Sequence, residues 1–371
     1  MIRPREGSRL DRRTLNRALL ARQGLLARVE QPIPAAIEAL VGLQAQVPRD
    51  PYISLWSRLR GFDPAALERL LLERSAVRMT LMRTTLHLVN AADARPLRQV
   101  MQDACERGFR SSPFHRQLQG IDLEALLAAG TAIVEERPCT VSDLGRALGE
   151  RWRTHDRTAM AYAVRYLVPL VQVPPRGLLR RSGAARVTTL AAWLGPPGDR
   201  IADANASVDA VVLRYLRAFG PATVADIRTW SWLAGLRSAV ARLRPRLRAY
   251  TDEQGRDLLD VEDGTFADPE EPAPVRFLGE YDNVFLSHVD RSRITGDAAW
   301  GVTYLRRGAF FVDGFLAGAW SASAVGDRAS IAIEPRTVLR GCADEVAAEG
   351  KALLGLLFPE ATSFEVELAA R

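Results

Sequence analysis

The period of apolar and polar positions changes several times along the chain, and the changes recur in one order. Leu15, Leu19, Leu20 and Leu26 fall near a 3.6-residue period with Arg17 and Arg22 facing away, predicting a helix over 15–26. A second helix is expected from Pro34 to about Leu43. Asp63-Pro64 reads as an N-cap followed by proline at the first helical position, opening a helix over 65–73. The period then falls to that of strands: Val77, Met79 and Leu81, followed by residues 84–89, predict two short strands with a turn near Arg83. Helices followed by a two-stranded ribbon is winged-helix order.

The same order returns after a helical stretch containing Gln and Arg. Asp122 opens a helix over 123–134, Thr140-Val-Ser-Asp143 caps a short one to about Leu148, and after a polar turn a longer helix is expected over 157–167. Residues 168–173, 178–181 and 187–190 predict strands around the turn Pro174-Pro175-Arg176-Gly177, and Pro196-Pro197-Gly198 reads as a linker. A third copy has a helix over 208–219 stopped by Gly220-Pro221, a Thr223-capped helix over 224–230, a basic helix over 236–247, and a wing of 250–251 with 258–261. The repetition is one of element order, without a residue-level repeat. From Pro272 onward strands are expected at 284–286, 310–312, 315–320, 331–333 and 364–368, with one helix over 345–357. The predicted fold is α+β: winged-helix modules over 11–118, 119–200 and 205–268, then a small barrel-like β domain over 272–371.

With 371 residues, 47% hydrophobic and 25% charged, the chain has the composition of a globular protein of two to four modules. Lys351 is the one lysine among 50 basic residues. GC-rich coding produces such a bias without functional cause; a net charge of +6 carried on guanidinium forks also suits a polyanion, because the fork matches phosphate oxygens. Cys105, Cys139 and Cys342 are odd in number and lack Cys-x-x-Cys spacing, so neither a disulfide framework nor a metal site is expected, and a reducing cytoplasm suits them. No signal peptide or membrane span is read in the charged N-terminal segment.

Dinucleotide and phosphate loops, the Gly-x-Ser-x-Gly elbow and His-Glu-x-x-His are all missing from the sequence, and no cofactor is expected. The informative segment is Leu43-Gln44-Ala45-Gln46-Val47-Pro48-Arg49-Asp50. Residues two apart on a helix lie roughly 200° around its axis, whereas in an extended segment they share a face. Pro48 biases Val47 away from the α region, so the helix is expected to end near Leu43 with the two glutamines projecting side by side from its exit. Two neutral amides there serve one of two purposes. Either they hold a water and contact a sugar or base edge, or they satisfy the orphan carbonyls of the helix end.

Gln44-Ala-Gln46 after Leu40-Val-Gly42-Leu43, Arg83-Thr-Thr-Leu-His87-Leu-Val, Val173-Pro-Pro-Arg176-Gly177 and Leu286-Ser-His288-Val-Asp290-Arg291-Ser-Arg293 together resemble the AlkZ-like winged-helix DNA glycosylases, from about Leu15 to Phe358. The resemblance implies three tandem winged helices and a C-terminal β domain wrapped in a C shape around duplex DNA, with Gln44 and Gln46 catalytic. Some relatives carry Asp at the second position; Gln46 implies the branch associated with bulky guanine adducts and interstrand crosslinks, whose members commonly protect producers of DNA-alkylating natural products.

On this reading the expected partner is double-stranded DNA containing alkylated guanine, met by a monomeric cytoplasmic, nucleoid-associated protein. Asp50 is either a conventional glycosylase base or a turn residue ahead of a helix. With Lys351 in a late helix, no Schiff-base chemistry and hence no strand nicking is expected. Arg176, Arg180, Arg181 and Arg186 lie on or beside the second hairpin, either as a solvated wing or as DNA contacts. Arg83 is expected to bind DNA, His87 either does so or is structural, and His288, Arg291 and Arg293 are expected to position backbone phosphates. Trp56 is either an aromatic wall near the glutamines or core. The rival reading is a winged-helix regulator that binds a particular sequence and releases no base.

Overall fold

The computed structural model describes residues 4–196, 206–297, 307–339 and 341–369. A short strand β1 (Arg9–Leu10) leads into α1 (Arg12–Arg22), which starts earlier than its periodicity predicts because the Asp11 carboxylate accepts the Thr14 N–H. It also stops earlier, at Gln23-Gly24, with Gly24 left-handed at φ 64°. Arg17 and Arg22, expected to face away, are buried instead. Arg17 pairs with Asp313, and Arg22 lays both ends of its fork on Asp260 at 2.7 Å.

The helix–helix–helix–hairpin order occurs three times. The first run is α2 (Ile33–Ala39), β2 (Leu43–Gln44), α3 (Asp50–Arg58), α4 (Pro64–Leu72), β3 (Ala76–Thr80) and β4 (Leu86–Asn90). The long α5 (Ala91–Ser111) and short α6 (Pro113–Arg116) follow. The second run is α7 (Leu123–Glu136), β5 (Cys139–Thr140), α8 (Val141–Arg151), α9 (Arg157–Leu167), β6 (Leu170–Gln172), β7 (Arg186–Thr189) and α10 (Leu190–Leu194). The third is α11 (Val208–Phe219), α12 (Val224–Ser231), α13 (Leu236–Leu243), β8 (Leu247–Asp252) and β9 (Asp257–Val261). The basic helix expected to reach Leu247 ends at Leu243, since Pro245 cannot continue it and tightens 244–246 into a 3₁₀ turn. Residues 178–181 are not a strand. Between β6 and β7 the chain coils through Gly177 at φ 103°, and β6 pairs directly with β7. Of the linker read at Pro196-Pro197-Gly198, Pro197 and Gly198 lie outside the described residues.

In each run a short segment between the first two helices pairs with the second hairpin strand: Gln44 with His87, Thr140 with Arg186, Ala222 with Leu259. In the second and third runs a threonine then caps the next helix in a box with an aspartate three residues on, Thr140 with Asp143 and Thr223 with Asp226. The first run departs from this. Gln44-Ala45-Gln46 occupies the corresponding place, and α3 begins after it with no side-chain cap.

The hairpins also fuse. β3 pairs with both β4 and β6, so the first two runs share one six-stranded sheet in the order β2-β4-β3-β6-β7-β5, while β1 adds in parallel to β8. The C-terminal part holds β10 (Arg276–Leu278), α14 (Asn283–Leu286), α15 (Ser292–Thr295), β11 (Gly308–Val312), β12 (Phe315–Val325), β13 (Arg328–Pro335), α16 (Ala343–Leu357) and β14 (Ser363–Leu368). Residues 284–286, expected as a strand, form a helical turn because the Asp282 carboxylate caps the Val284 N–H. The described strands form an open five-stranded sheet, β10-β11-β12-β13-β14, rather than a barrel; β14 lies parallel to β13 after the α16 crossover and ends an edge. One apolar core runs through α1, β3, α5, α11–α13 and β11, and a separate one fills the second run under α7–α9.

Candidate active site

At Val41-Gly42 the chain turns sharply and lays β2 on β4. Val41 and Gly42 are left-handed, at φ 55° and 87°, and a Cβ on Gly42 would sit 2.6 Å from Val89 Cγ1 and 3.0 Å from the Leu88 carbonyl. This ends α2 at Ala39, short of the predicted 43. The carbonyls at its end are filled by the Val41 and Gly42 N–H groups, at 3.0 and 2.9 Å, and Asn283 donates to the Leu40 and Gly42 carbonyls beyond it. The glutamines are thus not needed as helix-end caps.

They are extended and share a face. Gln44 is buried, Gln46 exposed, and Gln44 Nε2 donates to Gln46 Oε1 at 2.5 Å. Gln44 Oε1 in turn accepts from Arg83 Nη2 at 2.6 Å. Arg83 sits at the tip of the β3–β4 turn in a left-handed conformation, φ 55°, which aims its side chain back at β2. Its other terminal nitrogen donates to the Trp230 carbonyl in the last turn of α12. The Arg83 guanidinium, expected to bind DNA, is turned inward in the fold, to Gln44 and to the third run.

His87, opposite Gln44 in the sheet, is buried. Its Nδ1 lies 3.0 Å from the Thr85 carbonyl, so Nδ1 carries the proton and the Nε2 lone pair faces Arg83 Nη2 at 3.4 Å. Burial, reinforced by the Arg83 charge, lowers its pKa to about 3, so it stays neutral inside the sheet. Burial lowers Arg83 to about 10, leaving it a cation at neutral pH. A second guanidinium, Arg78, donates to the Ala45 carbonyl at 2.6 Å from beneath the motif. Gly177 makes room for it, since a Cβ there would lie 2.4 Å from Arg78 Nη1. The strand bearing the two amides is thus backed by two cations.

Asp50 begins α3 and is buried, its Oδ2 accepting the Tyr281 N–H at 3.3 Å and its Oδ1 without a partner. Burial, with Glu280 nearby, raises its pKa to about 7. Trp56 turns away from the amides toward the C-terminal core, with Arg28 4.6 Å over its ring.

The remaining expected contacts divide. Arg180 and Arg181 are exposed on the coil between β6 and β7 and Arg186 is exposed at the start of β7, while Arg176 is half-buried in the coil; Arg180 reaches Glu360 at 2.8 Å and Arg186 the Pro138 carbonyl at 3.4 Å. His288 and Arg293 are interior: His288 Nδ1 meets Ser287 Oγ at 2.8 Å, and Arg293 donates to the Pro221 carbonyl at 3.1 Å. Both groups, expected to position phosphates, are buried where the third run meets the C-terminal part instead of standing on the surface. Arg291, half-buried, caps α15 through its backbone. Arg78 and the Trp230 carbonyl escaped the sequence reading. Arg78 alternates with Val77 and Met79 as a solvent-facing strand residue would, and a backbone carbonyl has no signature.

The family model described as DNA glycosylase AlkZ-like matches residues 37–356, a span holding Gln44, Gln46, Arg83 and His87. The interstrand DNA cross-link repair glycosylase of Streptomyces sahachiroi is 23% identical over 252 residues, 66% of this chain and 65% of that protein, so the match spans just under two thirds of the relative's length. The solved structure of Streptomyces sahachiroi DNA glycosylase AlkZ is similar in fold, with a TM-score of 0.73 over 97% of this chain and 100% of that one, at 20% identity. With 37–356 matched, the chain belongs to the AlkZ-like DNA glycosylase family.

Proposed function

We propose that the protein hydrolyses the N-glycosidic bond of N7-alkylguanine in duplex DNA, including bulky adducts and interstrand crosslinks, in self-resistance to a DNA-alkylating natural product. Gln44 and Gln46 orient the water and contact the deoxyribose. The observation that carries this is the direct hydrogen bond from the Gln44 amide N–H to the Gln46 amide oxygen, with Gln46 facing solvent.

An N7-alkylated guanine already bears a positive charge. When the C1′–N9 bond breaks, its electron pair moves onto N9 and neutralises that charge, so the base departs without a general acid. Water adds its oxygen to C1′ and releases its proton to solvent, leaving an abasic deoxyribose. The protein's share is orientation and fixed dipoles, which neutral amides supply. Unmodified guanine, a poor leaving group, is spared. Asp50 suits a base role poorly on geometry: it is buried and packed against Gly279, where a Cβ would lie 2.8 Å from its Oδ1, so it faces the C-terminal part. An exposed Gln46 is also reachable by a large adduct, as the crosslink name of the Streptomyces relative would require here. Lys351 is exposed on α16, the crossover helix of the C-terminal part, which supports release without strand nicking. Arg181 on the coil between β6 and β7 and Arg186 at the start of β7 are the proposed phosphate contacts, with the protein acting as a monomer without cofactor.

The test is a labelled duplex bearing one N7-alkylguanine, followed by alkaline cleavage. The parent chain is expected to produce alkali-labile breaks, and the Gln44→Ala, Gln46→Ala double variant to lose at least about 10²-fold in rate while still binding duplex. Release at the parental rate by the double variant would overturn the assignment; tight binding of one DNA sequence with no release from any adduct would favour a regulator.

A further inference from the structure

The two amides could face the substrate in either of two orientations, and nothing within the pair chooses between them. Each side chain offers a carbonyl oxygen and an amide nitrogen of nearly equal shape, and flipping both would preserve their mutual hydrogen bond while exchanging what Gln46 presents. Arg83 removes that freedom. A guanidinium only donates, so the atom of Gln44 that meets Arg83 Nη2 at 2.6 Å must be Oε1. The Gln44 amide nitrogen is then turned to Gln46, whose Oε1 accepts at 2.5 Å. This leaves the Gln46 amide N–H groups and one lone pair of its Oε1 uncommitted among the described residues.

We propose that Arg83 is the positioning residue that sets this polarity, and that the third module, through the Trp230 carbonyl, holds Arg83 in place. The proposal rests on the glycosylase reading above. Three features fix the guanidinium. Its left-handed backbone at φ 55° points it inward. The neutral His87 offers only the Nε2 lone pair, because Nδ1–H is spent on the Thr85 carbonyl. The Trp230 carbonyl belongs to the last turn of α12, where no intrahelical donor is available and the helix end is partially negative. That carbonyl cannot wander: the Trp230 ring is buried against Tyr215 and Phe219, with centroids 5.2 and 5.7 Å away. The orientation of the amides in the first module is therefore decided by a backbone atom nearly 190 residues further along.

Arg83→Met, Arg83→Lys and the parent chain are compared in single-turnover base release from an N7-methylguanine duplex, alongside duplex binding across a salt series. Positioning predicts that Arg83→Met slows release about 10²-fold with Kd within twofold and the salt slope unchanged. Adding Arg83→Met to Gln44→Ala should cost nothing further, since the group it orients is already gone. Arg83→Lys keeps the charge and guards against a misfolded Met variant; its single ammonium cannot reproduce the fork, so release about tenfold below parental is expected at an unchanged melting temperature. A phosphate contact would instead weaken binding and flatten the log K against log salt slope by about 0.9, with the rate of the bound complex intact. That result, or parental release by either variant, overturns the proposal. Loss of release by the Arg83 variants is read against the parent and the double glutamine variant: if the parent releases no base, the glycosylase reading itself has failed; if the double variant keeps its activity, the glutamine pair is not the group Arg83 serves and the proposal falls with it; if it is dead while Arg83→Met is not, only the positioning role has failed.

Discussion

Asp50, packed against the C-terminal part, and His87, opposite Gln44 in the sheet, are both buried and titrate with opposite consequences. An unfolded Asp ionises near pH 4, whereas Asp50 in the fold holds its proton up to about 7. Between those values the native state binds a proton the unfolded state has released, so stability falls as pH rises through the window, and the penalty is complete above about 7. His87 is the reverse. Its folded pKa of about 3 lies below the unfolded value of 6.5, so its contribution is whole above 6.5 and drains away as pH falls toward 3. Asp50→Asn keeps an acceptor for the Tyr281 N–H and removes the first effect alone. Urea denaturation should find it more stable than the parent at pH 8, by about 2–4 kcal/mol, with no gain at pH 4. An equal difference at both pH values would show that Asp50 does not titrate in this range.

At the scale of elements, the departure of the first run from its siblings is what makes a site. Thr140 and Thr223 end their short strands by capping α8 and α12, closing the helix start with local hydrogen bonds. The first run gives up that cap for an extended Gln44-Ala45-Gln46 and an irregular exit through Pro48, and local rules are most often broken where function demands it. The coil between β6 and β7 is the second such element. The exposed guanidinium groups of Arg181 and of Arg186 at the start of β7 have the access and charge of phosphate contacts, unlike interior Arg293. Replacing both by Ala should reduce the salt slope of duplex binding by up to about 1.8, two phosphates' worth, while leaving the rate of base release at saturating protein unchanged. An unaltered slope would return the coil to being a solvated loop.

At the scale of the molecule, the runs are joined by buried ion pairs rather than by contact alone. Arg58 of α3 forks onto Asp282 of the C-terminal part at 2.7 and 2.8 Å, Arg22 of α1 onto Asp260 of β9, and Arg214 of α11 onto Asp93 of α5 at 2.6 and 2.8 Å. Removing one partner strands a buried charge, so Asp282→Ala should destabilise by about 3–5 kcal/mol. Because the core itself runs through the first run, the third and the C-terminal part, fluorescence and circular dichroism should report this loss in one shared unfolding transition. Two separated transitions would mean the units are stable apart.

The sequence by itself determined the elements whose causes are local. Asp63, Asp122, Thr140 and Thr223 cap helices where their side chains indicate, α9 and α11 have the predicted bounds, and the spacing of Gln44 and Gln46 suffices to put them side by side once the segment is extended. Interactions between distant residues were another matter. Arg17, Arg22, His288 and Arg293 look like surface residues in a linear reading and are interior, because a buried charge depends on a partner that sequence distance hides. The same holds for the site. Which glutamine is buried, and which atom each amide turns outward, follow from Arg83 and from a carbonyl of the third module, and only the packed chain brings those within hydrogen-bonding distance.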